Sequence, residues 1–365
     1  MGPVRKRAPS EKLLLTAVFL LSVIGLIVLA STSVPLSQQN FGESYFYFKH
    51  QLIFGFGVGI IFFLIASKVS IKFLRKMALP LFGLSVLLLA AVFIPQLGLE
   101  IGGSKRWISI GPLTFQPAEL AKLALIVYLA SWLARHSEKI RSSSSVISFL
   151  IIVGAIGGLV IAQRDLGTAV LIFIISLIMY YVAGAKKQSI ALAILASVLA
   201  FSIFVAIEPY RISRITSFLN PSSDIQGESY QLNQAFIAIG SGGFFGLGLG
   251  HSIQKYQYLP ESIGDAIFAI IGEELGFVGA SVILGLFLLF ILAGLKMALR
   301  ARTRFGTLLV VGLVSWIGLQ TIINIAGISG LIPFTGIPLP FISYGGTAIV
   351  AEFTVVGLAI NAARN

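Results

Sequence analysis

Ten apolar runs, each near the length that crosses a bilayer's hydrocarbon, succeed one another along the chain: residues 13–31, 51–67, 77–95, 117–134, 146–163, 166–184, 189–207, 265–295, 305–326 and 346–362. Crossing about 30 Å of hydrocarbon takes roughly 20 helical residues. Hydrocarbon offers the backbone no hydrogen-bond partner, so each run must satisfy its own amides, and a helix does so within one segment. The predicted fold is an all-α polytopic membrane protein of about ten transmembrane helices, forming a single domain over residues 1–365. Composition agrees, with 57% of residues hydrophobic and 11% charged, against about 25% charged in soluble domains. The eighth run is longer than one crossing needs, so one of its ends is expected in the interface. The first run follows Arg5, Lys6, Arg7 and Lys12 and has no convincing small-residue cleavage site. It is expected to stay in the membrane as a signal anchor behind a cytoplasmic tail, residues 1–12.

Basic residues set the orientation. With the N-terminus in the cytoplasm, 18 of the 26 Lys and Arg residues fall in inner segments and seven in outer ones, while Lys122 lies inside a span. This bias predicts that both termini are cytoplasmic. It also accounts for the net charge of +12 as a topology signal facing anionic lipid, which argues against nucleic acid as a partner. The chain has no cysteine, so disulfides and thiolate chemistry are excluded. Its three histidines, His50, His136 and His251, are scattered, which disfavours a His-based metal site. The outer segments 96–116, 208–264 and 327–345 hold most of the Gly-Pro-Ser-Tyr clusters. The long extracytoplasmic loop 208–264, between helices 7 and 8, has the length of a functional loop. The Gly-rich apolar stretch Ile237 to Leu249 predicts an ordered, re-entrant or interfacial segment within it.

Four constellations carry candidate chemistry. Asp265 sits where the long loop meets the eighth run. A carboxylate at a helix start can satisfy free amides and the helix dipole. One at the edge of hydrocarbon is costly and suits a general base. Glu273 and Glu274 follow on the same predicted helix, roughly 12–14 Å deeper, as structural partners in the bundle. Glu119 and Lys122, at i and i+3, share one helix face. They make either a neutralising pair or the wall of a pocket, with Lys122 available to a phosphate. Lys105, Arg106, Arg164, Arg211 and Arg214 form an outer cation group that would suit a diphosphate-bearing lipid, with Asp165 a neighbour able to pair with Arg164. The last outer loop, from Gly327 through Ser343 to Thr347, carries too many prolines and glycines for a helix. Such backbone at membrane depth is buried in protein or lines a cavity; its hydroxyls and amides either meet sugar or phosphate oxygens or serve a purely structural role.

These residues fall in long motifs: GSKRWISIGPLTFQPAELAK (103–122), QRDLGTA (163–169), YRISRITSFLNP (210–221), AIGSGGFFGLGLGHSIQKYQYLPESIGDAIFAIIGEELGFVG (238–279) and GLIPFTGIPLPFISYGG (330–346). In order and over nearly the whole chain, they resemble the SEDS family (shape, elongation, division and sporulation). The segment Ser252-Ile-Gln-Lys-Tyr is closer to the division branch than to the elongation branch. The resemblance implies a glycosyltransferase that polymerises lipid II at the outer face of the bacterial cytoplasmic membrane. It implies a class B penicillin-binding protein and divisome proteins as partners, and a divalent cation, Mg or Mn, on the substrate diphosphate. The family's essential outer-loop acid falls on Asp265 and its polar pair on Glu119 and Lys122. Arg106, Lys122, Arg211 and Arg214 become candidates to stabilise the leaving diphosphate. Gly264, Ala266 and Ala118 stand where the family often has other neighbours, hydroxyl-bearing in two of the three cases. A lipid flippase, with Glu273, Glu274, Glu352 and Lys122 as a polar track, and a scaffold that recruits a transpeptidase are the competing classes.

Overall fold

The computed structural model describes residues 8–101, 104–110, 113–138, 140, 142, 144–207, 218, 228–256 and 258–365. Helices dominate: α1 (Pro9–Thr32), α2 (Val34–Phe41), α3 (Phe46–Ala66), α4 (Ile71–Ala91), α5 (Pro117–Arg135), α6 (Ser144–Ala162), α7 (Leu166–Val182), α8 (Lys187–Ile207), α9 (Glu228–Gly242), α10 (Ile267–Ala298), α11 (Arg304–Ile328) and α12 (Gly346–Arg364). Among the described residues, eight helices are long and apolar enough to cross a membrane. Two shorter apolar ones, Leu166–Val182 and Lys187–Ser202, lie at the sixth and seventh predicted runs. The chain is a multi-pass membrane protein. Its surface is apolar, with Phe19, Ile53, Leu87, Ile151 and Leu195 among the exposed side chains. The two most buried spanning helices are α5 and α11, and these carry Glu119, Lys122, Gln320 and Asn324.

Three departures from the sequence reading have physical causes. The fold is not wholly helical. Segment 96–116 holds an antiparallel sheet, β1 (Gly98–Ile101), β2 (Ser104–Ile110) and β3 (Leu113–Phe115), in the order β1-β2-β3. Trp107 and Ile108 are residues that fit a pleated, half-buried surface, and β2 pairs Ile108 with both Gly98 and Phe115. The third predicted run begins six residues earlier, at Ile71, so Lys72, Arg75 and Lys76 lie on a helix, where long cationic side chains reach toward its end. Finally, α3 passes through a π-helical stretch at Gln51–Gly57, a geometry frequent at functional sites.

The long eighth run is resolved by a break. Gly276 takes φ 66° and ψ −166°, a region that L side chains essentially do not adopt. It separates a short buried helix, 267–275, from a spanning one, 277–298. A Cβ at Gly276 would also lie 2.3 Å from the Gly246 amide nitrogen and 2.7 Å from the Phe244 carbonyl oxygen. Gly276→Ala is therefore expected to lower the thermal unfolding midpoint in detergent, with a cost of about 1–3 kcal/mol. An unchanged midpoint would mean that the break is not imposed by this backbone.

The two ends of the bundle differ. At one, Arg364 pairs with Glu11 at 2.8 Å, Arg300 donates to the Ser10 hydroxyl at 3.3 Å, and Asn361 donates to the carbonyls of Ala66 and Val69. The ends of α1 and α12 that lie nearest the chain termini thus share one side of the bundle. The opposite end collects the sheet, the α6–α7 turn, the loop before α10 and the loop before α12.

Candidate active site

The loop-rich end is knitted together through Asp265. The short helix 267–275 starts at Ile267, and its cap position is Ala266, with no side-chain cap. The expectation that Asp265 caps this helix is not met. Its carboxylate accepts instead from Gln231 Nε2 at 3.4 Å, from α9 within the long loop. The segment Ile237 to Leu249, predicted as ordered, is part helix and part turn, with α9 packed on α10. The backbone carbonyl of Asp265 accepts from Asn324 Nδ2 at 2.7 Å. Gly336, at φ +68°, faces the carboxylate so closely that a Cβ there would sit 3.4 Å from Asp265 Oδ2. Asp265 itself is half-buried.

The loop before α12 braces this joint. Ser343 Oγ donates to the Gly264 carbonyl at 2.7 Å and accepts from the Leu339 amide at 2.8 Å. Tyr344 N donates to the Ile263 carbonyl at 2.8 Å. Ser343 is buried, and these two bonds make its hydroxyl a brace of the loop. Gln51, in the π-helical stretch, bonds the Ser343 carbonyl and the Gly345 amide, each at 3.2 Å. The Tyr344 hydroxyl lies 3.0 Å from His50 Nδ1. Burial and the neighbouring Tyr47 push its pKa up to about 12, so it stays a neutral phenol. Glu352 accepts from the amide of Phe341 at 2.7 Å and thereby holds a residue at φ 62°.

Glu119 and Lys122 form an ion pair at 2.8 Å with both side chains buried. Lys122 Nζ also donates to Gln320 Oε1 at 3.1 Å and lies 4.5 Å from the centre of the Trp316 ring. Two of its three donors are thus taken inside the bundle, and the side chain is buried. Arg106 is the better placed cation. Its guanidinium donates to the Arg164 carbonyl and lies 4.0 Å from Asp165 Oδ2. Its Nε has no partner among the described residues. Asp165 caps α7, accepting from the Thr168 amide at 3.1 Å, and its ion pair is with Arg106 rather than with Arg164. The close approach of Gly167 to Thr335 and Ile337 joins this cation cluster to the strip that faces Asp265. Lys105 is partnered across the sheet by Glu100. Arg211 and Arg214 lie outside the described residues.

Glu273 and Glu274 are not deep. Glu274 accepts from Ser31, in the last turn of α1, at 2.8 Å and from Lys255 Nζ at 2.9 Å. Glu273 accepts from the Ser252 hydroxyl and from the Ile253 amide. The break at Gly276 keeps both glutamates level with the loop-rich end of α1, where they clamp segment 250–256. The predicted depth assumed one straight helix. Asn324 and Gln320 were missed, and Gln231 was given no role of its own. Two amides four residues apart on one face of a largely apolar helix were the available signal for the first two. Among the described residues, no group of three or more His, Asp or Glu side chains converges on a common point.

A helical bundle that passes many times through a membrane, and gathers an acid, an arginine and irregular loops at one end, defines a polytopic membrane protein with a built polar site. The chain belongs to the FtsW/RodA/SpoVE family, whose model, described as "Cell cycle protein", matches residues 11–365. It is 39% identical to stage V sporulation protein E of Bacillus subtilis (strain 168), over 98% of each chain. It is 35% identical to a probable peptidoglycan glycosyltransferase FtsW of Geobacter sp. (strain M18), over 96% of each. Among solved structures it resembles a chain from "Structural coordination of polymerization and crosslinking by a peptidoglycan synthase complex", with TM-score 0.79 and 27% identity over 96% of each chain. It also resembles the rod shape determining protein RodA of Thermus thermophilus, with TM-score 0.71 and 26% identity over 96% of this chain and 95% of that one.

Proposed function

We infer that this chain is a peptidoglycan glycosyltransferase that polymerises lipid II at the outer face of the bacterial cytoplasmic membrane. The observation that carries the reading is the setting of Asp265: a half-buried carboxylate at a loop–helix joint, fixed through its backbone and faced by a glycine. Family membership and the activity named for its relatives support it. In this reading Asp265 takes the proton of the acceptor's 4-hydroxyl as that oxygen attacks C1 of the donor sugar. The C1–O bond to the diphosphate breaks with inversion, and undecaprenyl diphosphate leaves. Proton removal in the transition state suits a fixed carboxylate. Arg106, beside the start of α7, meets the charge that develops on the leaving group. The relatives named FtsW, together with the sporulation protein, favour a septal role over side-wall elongation. A class B penicillin-binding protein is the expected partner, in keeping with the synthase complex that the fold resembles.

A divalent cation is part of this reading as a companion of the substrate. Among the described residues no group of three or more His, Asp or Glu side chains is gathered that could hold a metal ion, though Glu261 Oε2 lies near the Asp265 joint, 3.1 Å from where a Cβ on Gly264 would stand. Mg or Mn would be held mainly by the diphosphate oxygens. Chelation by EDTA is expected to stop polymerisation and added Mg or Mn to restore it, with the unfolding midpoint of the protein unchanged. A midpoint that falls on chelation would show instead a structural ion.

Of the four residues in the flippase alternative's polar track, Glu273 and Glu274 are tied to Ser31, Ser252 and Lys255 at the loop-rich end, which weighs against a track running through the bundle. Lipid II supplied in detergent micelles, where there is no membrane to cross, separates the two readings. Glycan strands are expected from the purified chain with its transpeptidase partner. Their absence under conditions where the complex is intact would contradict the polymerase reading.

A further inference from the structure

We propose that Gln320 and Asn324, one helical turn apart on α11, are positioning residues that fix the Asp265 carboxylate and tie it to the buried Glu119–Lys122 pair. The proposal rests on the reading of Asp265 as the reacting acid.

Three segments meet at these two amides. Asn324 Nδ2 spans the carbonyls of Asp265 and Ile337, both at 2.7 Å. Gln320 Nε2 donates to the Pro338 carbonyl at 3.0 Å. Its Oε1 accepts from Lys122 Nζ at 3.1 Å and from Trp316 Nε1 at 2.7 Å. Both residues are buried. Residues 337 and 338 follow Gly336, which faces the Asp265 carboxylate. Asn324 therefore pins the acid's backbone and the strip beside the acid with a single group. Gln320 pins the next residue of that strip, and its other end is held by the ion pair.

Helix periodicity makes this one device. Positions 316, 320 and 324 are spaced by four and stack on one face, so the tryptophan, the glutamine and the asparagine form a polar stripe inside the bundle. α11 is among the most buried helices, and an apolar residue at 324 would leave two buried carbonyls without a donor. Asn324 Oδ1 has no partner among the described residues. An amide that leaves one acceptor unpaired while serving two loop carbonyls with its donor is placed for the loops rather than for its own satisfaction. A shift of about 1 Å in a catalytic group can cost ~100-fold in rate, so such a bracket matters to turnover before it matters to substrate binding.

The test uses the full chain with its transpeptidase partner in detergent and measures lipid II polymerisation, thermal unfolding and the pH profile of kcat. Asn324→Ala removes both bonds to the joint. Gln320→Glu keeps the acceptor for Lys122 and loses the donor to Pro338. Each is expected to lower kcat by about 10-fold or more, to leave KM within about threefold, and to displace the acid limb of the pH profile. Wild-type turnover in a folded variant would overturn the proposal. So would a loss that only tracks the fraction of protein unfolded, with an unmoved pH profile, since that is a structural role alone. If Asp265→Ala retains activity, it is the reading of the acid that fails. If Asp265→Ala is inactive while both amide variants turn over normally, only this inference fails.

Discussion

Asp265→Asn is expected to cut lipid II polymerisation by about 10²–10⁴-fold, the contribution typical of a positioned general base, while the protein still folds. The joint is held through the backbone: Asn324 bonds the Asp265 carbonyl, Ser343 bonds the Gly264 carbonyl and Tyr344 bonds the Ile263 carbonyl. None of these bonds uses the carboxylate. Asparagine has the same shape and keeps an oxygen for Gln231, and it removes the basic carboxylate that takes the proton. Asp265→Glu keeps the base but pushes it toward Gly336, whose lack of a side chain leaves limited room. It is expected to retain part of the activity. Strand formation is read on gels and folding by size-exclusion profile and melting. An Asp265→Asn protein that polymerises like wild type removes the base assignment. One that fails to fold shifts the residue's role to structure.

Lys122→Met is expected to destabilise the bundle by about 3–5 kcal/mol, the usual result of removing one partner from a buried ion pair. Glu119 would be left charged among apolar helices. Its Oε2 already has no partner among the described residues, and the ammonium that neutralises it at 2.8 Å would be gone. The double variant Glu119→Gln with Lys122→Met removes both charges and should regain most of the stability. It should not regain the turnover, because Gln320 loses the Lys122 hydrogen bond that fixes its orientation toward Pro338. Melting of the single and double variants in the same detergent measures this. A Lys122→Met protein with the wild-type midpoint contradicts the account of the pair as a buried, mutually neutralising element.

Much of this was legible in the residues, because hydrocarbon is a strict solvent. Runs of apolar residues had to become helices, and each of the ten falls on one. Asp265 stood out as an acid at the end of a long loop, and Glu119 with Lys122 as a pair at helical spacing. What the sequence hid depended on backbone geometry and on side chains meeting across distant segments. The break at Gly276 is one φ/ψ pair, and it changed where Glu273 and Glu274 lie. The sheet at 98–115 was masked by glycine- and proline-rich surroundings, although Ser104 to Ile110 has residue types that favour strands. The pairing of Lys122 with Glu119 could be read from their spacing, but its contacts with Gln320 and Trp316 could not, because those residues lie almost 200 residues away. Ser343 read as a ligand donor because its partner carbonyl at Gly264 belongs to another loop. Asn324 drew no notice because its spacing of four from Gln320 says nothing of the two carbonyls it will find.

The most direct measurement is glycan-strand synthesis from lipid II by the purified chain in complex with its transpeptidase, with crosslinking blocked by a β-lactam, comparing wild type with Asp265→Asn. The account predicts strands that lengthen with time for the wild type, and donor consumption close to background for Asp265→Asn, at equal folded protein. Strands made equally by both proteins, or by neither, would contradict it.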